Sequence, residues 1–171
     1  APRGIAVFGA SERRGALGTQ VFRNLLRSGF EGKLYPVNPK HRRVRGRSCY
    51  PTLEQVPGPV DLAVLAVPAA EAPGIVEQCG EQGVKVALIL SAGVGARALA
   101  GTQLQRELQQ AAAPYELRLL GPNCLGLIRP LATGEHGMAD ATEQHALVGR
   151  LTVGDVVVLG VVEHREPTVG K

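Results

Sequence analysis

The sequence has no tryptophan, and only 4% of its 171 residues are aromatic. Single-stranded nucleic acid is bound largely by stacking on aromatic rings, so this composition disfavours such a protein. The three cysteines, Cys49, Cys79 and Cys124, are far apart and form no CxxC pair, which argues against a disulfide framework or a zinc site. No apolar run has the length of a membrane span, and no signal peptide is recognisable. We therefore expect a cytoplasmic protein with reduced thiols that binds neither membrane nor nucleic acid.

Glycine, by contrast, is plentiful, with 22 residues, and the apolar residues fall into short continuous segments. Such segments are typical of strands buried on both faces of a parallel sheet. They alternate with stretches that have helical periodicity at 18–28, 70–82 and 101–112, and a short helical turn is expected to start at 50–53 and to be closed by residues 57–59. The predicted strands cover 5–8, 33–37, 62–67, 84–90 and 117–120. This alternation predicts an α/β fold with a Rossmann-like, doubly wound parallel sheet over residues 1–130.

The pattern changes after residue 130. Two apolar segments, 147–153 and 156–162, flank Gly154-Asp155 and predict a β-hairpin. Residues 131–171 are expected either to open a further domain or to be a discontinuous segment.

The first predicted strand runs directly into a turn of small residues that starts at Gly9 and ends at Gly18, where a helix begins. The backbone N–H groups at such a helix start are free, and the helix dipole favours negative charge there. We therefore expect a nucleotide-type phosphate ligand at the end of the first strand. Gly9 and Gly18 would in any case permit a tight turn and close packing of helix on sheet.

The second predicted strand ends in Asn38-Pro39-Lys40, and the cationic segment 41–47 follows. A dinucleotide fingerprint requires an acidic residue at this place, to hold a ribose hydroxyl. Lysine and arginine instead attract a phosphorylated ribose. Plain NAD is thus disfavoured, whereas NADP and coenzyme A (CoA) remain. The alternative interpretation of segment 41–47 is a solvated basic loop. Nucleic-acid binding ranks low, because only these arginines and a net charge of +4 suggest it.

Several ordered blocks resemble a known family. These are GAS…GALG…VFRNLLRSGFEGKLYPVNPK, YPTLEQVPGPVDLAVLAVPA, GVKVALILSAG and LLGPNCLGL. Over residues 4–130 the chain resembles the CoA-binding domain of the succinyl-CoA synthetase α-subunit superfamily. It is most similar to the NDP-forming acyl-CoA (acetate–CoA) synthetases and to the related protein lysine acetyltransferases that fuse this module to a GNAT domain.

The resemblance implies a CoA site formed by three turns. The loop after the first strand would wrap the phosphates, a lysine after the second strand would meet the nucleotide, and the turn after the fourth strand would lie along the ligand. The residues expected to bind the cofactor are Gly9, Ser11, Glu12, Arg13, Arg14, Gly15, Gly18, Lys40, Arg42, Val67, Pro68, Leu90, Ser91, Ala92 and Asn123.

Chemically, the Ser11 hydroxyl and nearby N–H groups suit pyrophosphate, and Arg13 and Arg14 offer forked donors. Lys40, with Arg42 or Arg43, can neutralise a 3′-phosphate. Val67-Pro68 would flank the adenine or the pantetheine. Asn123 could face the thiol end of CoA or simply form a turn, whereas Cys124 is expected to be a small buried side chain.

No catalytic arrangement is evident. His136, His145 and His164 lack the spacing of metal ligands. By resemblance, the synthetases use a phosphohistidine in a second domain and an ATP-grasp domain, and the acetyltransferases use their GNAT domain. Gly134-Glu135-His136-Gly137 follows the first domain too soon to be the phosphohistidine loop. We therefore expect a CoA- or acyl-CoA-binding module that is inert alone and meets ATP or ADP only through other domains or subunits. The alternative is the NADP-binding domain of an oxidoreductase.

Overall fold

The computed structural model describes residues 2–90 and 103–121, together with the backbone of 98–102, 152–153 and 156–157. Five parallel strands form one sheet, and they are β1 (Gly4–Phe8), β2 (Lys33–Val37), β5 (Leu62–Leu65), β6 (Val86–Ile89) and β7 (Arg118–Leu120). Their order across the sheet is β2-β1-β5-β6-β7. The strand order reverses beside β1, which has β2 on one side and β5 on the other. In open sheets of this kind, ligands bind beyond the carboxyl ends of the strands at that reversal.

Helices cover both faces of the sheet. Helix α1 (Leu17–Arg27) places Phe22 against one face, in a core that includes Val7 and Val64. Helices α2 (Ala72–Glu81) and α3 (Ala98–Ala112) cover the other face, where the core includes Phe8 and Leu65. Neighbouring strand residues point to opposite faces, so a continuous apolar run fills two cores at once. The predicted Rossmann-like α/β fold is confirmed.

Several element boundaries differ from the prediction. Strand β5 ends at Leu65 and not at residue 67, and α2 begins at Ala72 after a 3₁₀ turn at Ala69–Glu71. Strand β6 is shorter at both ends than predicted, and α3 begins three residues earlier. The short helical turn expected between 50–53 and 57–59 is present as a 3₁₀ turn at Leu53–Gln55. The apolar runs continue beyond the paired residues of β5 and β6, so apolar character alone made the predicted strands too long.

The cationic segment after β2 contains a small hairpin that was not predicted. Its strands, β3 (Arg43–Val44) and β4 (Arg47–Ser48), pair antiparallel around Arg45-Gly46. Both turn residues have positive φ, 51° at Arg45 and 77° at Gly46. The side chain of Val44 is fully buried and fixes the hairpin to the core.

Farther along the chain, β8 (Thr152–Val153) pairs antiparallel with β9 (Val156–Val157). This pairing agrees with the hairpin predicted around residues 154–155, and the rest of its predicted arms, 147–151 and 158–162, lies outside the described residues. The assignment of 131–171 to a further domain stays a prediction. Among the helices that the structure describes, none is long and apolar enough to cross a membrane.

Candidate ligand-binding cleft

A cleft of about 780 Å³ opens at the carboxyl ends of β1, β2 and β5. Its lining includes Phe8 and Val37, which end β1 and β2, and Ala66, which directly follows β5. The loops beyond contribute the polar and charged groups described below. This is the edge of the sheet where the strand order reverses, as expected for a ligand site in this architecture.

Two glycines bring the first helix onto the end of β1. Gly9 has a φ of +79°, and a Cβ atom there would collide with the carbonyl oxygen of Ala66. A Cβ atom on Gly18 would likewise collide with the carbonyl oxygen of Gly9. Since no side chain fits at either position, glycine allows the start of α1 to pack directly on the strand ends.

The start of α1 borders the cleft through Gly15, Ala16, Leu17 and Gly18. The N-cap residue, Ala16, makes no side-chain hydrogen bond to the helix, and the first turn carries no acidic residue. The first N–H groups of a helix lack intrahelical partners, and the helix dipole adds positive potential there. This end of α1 therefore has the properties of an anion-binding site.

The loop between β1 and α1 is held in shape by a buried pair of hydroxyl groups. The Thr19 hydroxyl donates to the carbonyl oxygen of Ser11 at 2.8 Å. The Ser11 hydroxyl lies 2.8 Å from Thr19 Oγ1 and accepts from the N–H of Arg13 at 3.4 Å. Because the Thr19 hydrogen is used on the carbonyl, Ser11 donates its own hydrogen to Thr19. Ser11 thus shapes the loop, and direct contact of its hydroxyl with phosphate stays a prediction.

Asn38 joins the loop after β2 to the loop after β1. Its Nδ2 donates to the carbonyl oxygen of Ala10 at 2.9 Å, and its Oδ1 accepts from the N–H of Lys40 at 3.0 Å. Lys40 and His41 consequently border the same cleft as Ser11 and Arg13. Within the described ranges, neither Arg13 nor Lys40 forms an ion pair with a carboxylate.

Several residues named from the sequence share this cleft and others do not. Those that border it are Gly9, Ser11, Arg13, Gly15, Gly18, Lys40, Val67 and Pro68. Glu12, Arg14 and Arg42 are exposed and lie outside its lining, and Leu90 is buried in the core of the α1 face. Ser91, Ala92 and Asn123 lie outside the described residues.

Other lining residues were not predicted. Glu71, Ile75 and Gln78 border the cleft from the segment that follows β5, and Thr52 borders it from the segment after the hairpin. The spacing of 71, 75 and 78 places these side chains on one helix face, and this signal could have identified them. Asn38 could have been recognised as a turn-forming side chain directly after a strand.

The described residues offer no metal centre, and their two cysteines are not activated nucleophiles. No group of three histidine, cysteine, aspartate or glutamate side chains in that part of the chain could hold a metal ion. Cys49 and Cys79 are free and buried. Burial raises the pKa of the Cys79 thiol to about 12, and it also raises the pKa of Cys49 against the opposing effect of backbone hydrogen bonds. Both thiols are therefore protonated near neutral pH.

A family model described as a CoA binding domain matches residues 3–130. The chain belongs to this family. The ADP-forming acetate–CoA ligase I of Archaeoglobus fulgidus is 36% identical over 162 residues, which cover 95% of this chain and 23% of the relative. The α subunit of the ADP-forming acetate–CoA ligase I of Pyrococcus furiosus is 40% identical over 131 residues, covering 74% of this chain and 28% of the relative.

Among solved structures, the chain is similar to acetyl-coenzyme A synthetase 1 of Candidatus Korarchaeum cryptofilum in complex with phosphate and ADP. The two are 42% identical with a TM-score of 0.68, and the match covers 73% of this chain and 26% of that chain. The predicted resemblance is confirmed: the chain is a CoA-binding domain of the kind found in ADP-forming acetate–CoA ligases. An NADP-dependent oxidoreductase is not favoured. The chain spans about a quarter of the length of these relatives.

Proposed function

We propose that the chain binds CoA or an acyl-CoA in this cleft and serves as the CoA-binding module of an ADP-forming acyl-CoA ligase. One observation supports this most strongly. Arg13 and Lys40 come from two different loops, border one cleft beside the start of α1, and have no carboxylate partner in the described part of the chain. Two unpaired cations and a helix N-terminus suit a ligand with several phosphate groups.

In this proposal, each part of the ligand is assigned to a part of the cleft. The pyrophosphate would lie at the start of α1, within reach of Arg13, and the 3′-phosphate would lie at Lys40. Val67, Pro68 and Ile75 form an apolar part of the lining suited to the adenine or the pantetheine. A volume of about 780 Å³ is in the range of small-molecule sites.

The reaction itself would belong to the rest of the enzyme. We infer that ATP and ADP act through other domains or subunits, since the chain spans about a quarter of the length of its relatives. A link to GNAT-fused acetyltransferases and a cytoplasmic location, expected from the unpaired cysteines, stay predictions. The assignment of Ser91, Ala92 and Asn123 to the site is a proposal of the same standing.

Isothermal titration of the chain with CoA, dephospho-CoA and NADPH tests CoA binding. The 3′-phosphate should strengthen binding by about ten- to a hundredfold over dephospho-CoA, because a charge-assisted hydrogen bond contributes roughly 1.5–3 kcal/mol. Equal affinity for CoA and dephospho-CoA would remove the 3′-phosphate from the proposal. Absence of binding to either, or a preference for NADPH, would contradict the proposal as a whole.

A further inference from the structure

We propose that Glu12 and Arg45 form a positioning pair that sets the distance between Arg13 and Lys40. The inference deepens the proposed function and rests on it. Glu12 was expected to bind the cofactor, but its carboxylate is engaged elsewhere. Oε1 accepts from the backbone N–H of Arg45, and Oε2 lies 3.5 Å from Arg45 Nε.

This pair is the second of two links between the same two loops. At the base of the loops, Asn38 donates to the carbonyl oxygen of Ala10 at 2.9 Å. At the tip of the β3–β4 hairpin, Arg45 meets Glu12. Of the two cleft-lining cations, Lys40 lies in sequence between Asn38 and Arg45, and Arg13 directly follows Glu12. A change at the tip is therefore transmitted to both cations.

The β3–β4 hairpin is fixed to the rest of the fold, so a movement of its tip can affect the loop that carries Lys40. Its base returns to the sheet through two hydrogen bonds, from the N–H of Asn38 to the carbonyl of Tyr50 at 2.8 Å and from the N–H of Tyr50 to the carbonyl of Pro36 at 3.0 Å. Within the hairpin, Val44 is fully buried. Anchored at its base and in its first strand, the hairpin presents its tip to Glu12 in a defined place.

The presence of arginine at position 45 also supports a role for its contact with Glu12. Arg45 has a φ of 51°, which is uncommon for any residue with a side chain, and the following Gly46 has a φ of 77°. Two positive φ angles define a hairpin turn that asparagine, aspartate or glycine forms best. Arginine is a poor choice for the turn itself, and its contact with Glu12 supplies a reason for it.

Removing the charge of Glu12 should change CoA affinity in opposite directions depending on whether the pair positions the two cations. Glu12 is an exposed negative charge beside a site proposed for an anion, so removing that charge would tighten CoA binding if the pair had no positioning role. If the pair positions the two cations, the same change weakens binding. Titration of CoA into the full chain and into Glu12→Gln, Arg45→Asn and the double variant distinguishes these cases.

We expect Glu12→Gln and Arg45→Asn each to weaken CoA binding by about two- to fivefold, the size typical of an exposed ion pair. The double variant should bind no worse than the weaker single variant, because both changes break the same ion pair and both keep the backbone N–H of residue 45 and an accepting side-chain oxygen at residue 12. Arg45→Asn suits the turn, so its thermal midpoint should be equal to or above that of the unaltered chain. This separates lost affinity from lost stability.

Glu116→Gln is the matched control. It removes an exposed carboxylate, paired with Lys85 at 4.0 Å, that does not border the cleft, and it should leave CoA affinity unchanged. Unchanged or tighter binding by Glu12→Gln, or losses that add in the double variant, would overturn the positioning role while CoA binding by the unaltered chain stands. Failure of the unaltered chain to bind CoA would instead overturn the proposed function, and this inference with it.

Discussion

Gly18 lies so close to the carbonyl oxygen of Gly9 that no side-chain carbon fits between them. This contact places the start of α1 on the end of β1, where the proposed pyrophosphate would bind. A methyl group at residue 18 must push the helix away from the strand, and backbone atoms give way at greater cost than a flexible side chain would.

Gly18→Ala should therefore lower the free energy of unfolding by about 1–3 kcal/mol, the usual cost of overpacking. It should also weaken CoA binding, because the helix N-terminus would move. Urea unfolding and titration measure the two effects. Gly74→Ala is the control: it lies in α2 with open space around its Cβ position and should be neutral or stabilising by about 0.5–1 kcal/mol. If Gly18→Ala changed neither the free energy of unfolding nor the affinity for CoA, this view of the contact would be wrong.

Thr19 does not border the cleft, yet it should influence ligand binding through Ser11. Thr19→Val removes both the donor to the Ser11 carbonyl and the acceptor for the Ser11 hydroxyl, leaving buried groups unpaired. We expect a loss of about 1–3 kcal/mol in the free energy of unfolding together with weaker CoA binding.

Thr19→Ser retains the hydroxyl and is the matched control. It should keep most of the stability and of the affinity. A loss in Thr19→Ser with stability and affinity retained in Thr19→Val, which keeps the methyl group, would show that the methyl group, and not the hydroxyl pair, holds the loop. Urea unfolding and CoA titration of the two variants, run side by side, give the comparison.

The elements that the sequence predicted well are those whose signal is local. A strand such as β1 is buried on both faces, and its unbroken apolar run is visible without any knowledge of its neighbours. The β3–β4 hairpin was missed because its strands have two residues each and carry arginines on the outside. Its stability depends on Val44 reaching the core and on Glu12, which comes from another loop. Only the folded chain brings these together.

The same distinction applies to the cleft. Lys40 was predicted because a cation after the second strand has a recognisable meaning, and glycines at 9 and 18 mark a close approach. The engagement of Glu12 by Arg45 was not predictable, since the two residues are 33 positions apart and exposed. A charged side chain in a proposed binding loop has several partners available, and its sequence position does not decide among them.

Asp61 should make the stability of the fold depend on pH. Its carboxylate accepts from the N–H groups of Arg3 at 2.5 Å and Gly4 at 3.3 Å and pairs with the Arg3 guanidinium. Burial acts to raise the pKa of Asp61, but these hydrogen bonds and the Arg3 charge outweigh it and hold the pKa below its ordinary value. The ionised Asp61 carboxylate therefore stabilises the fold fully above its unfolded-state pKa of about 4. This stabilisation is lost as the pH falls through the folded-state pKa.

Asp61→Asn should accordingly lower the free energy of unfolding by about 1 kcal/mol at pH 7, with a smaller difference from the unaltered chain at pH 3. Urea unfolding at the two pH values measures it. Glu116→Gln, at a carboxylate that is 96% exposed, should show no such pH-dependent difference. If the difference in the free energy of unfolding between Asp61→Asn and the unaltered chain were the same at pH 7 and pH 3, the ionised carboxylate would not be its source.

Lys40 is the residue on which recognition of the 3′-phosphate should depend most. Its N–H is fixed by Asn38, its ammonium group has no carboxylate partner in the described part of the chain, and it borders the cleft. Lys40→Gln should weaken CoA binding by about tenfold, the loss of one charge-assisted contact, and leave dephospho-CoA binding nearly unchanged. Lys33→Gln removes an exposed lysine at the opposite end of β2 and should alter neither affinity. Since general charge loss would weaken both ligands alike, an equal loss for CoA and dephospho-CoA in Lys40→Gln would place the 3′-phosphate elsewhere.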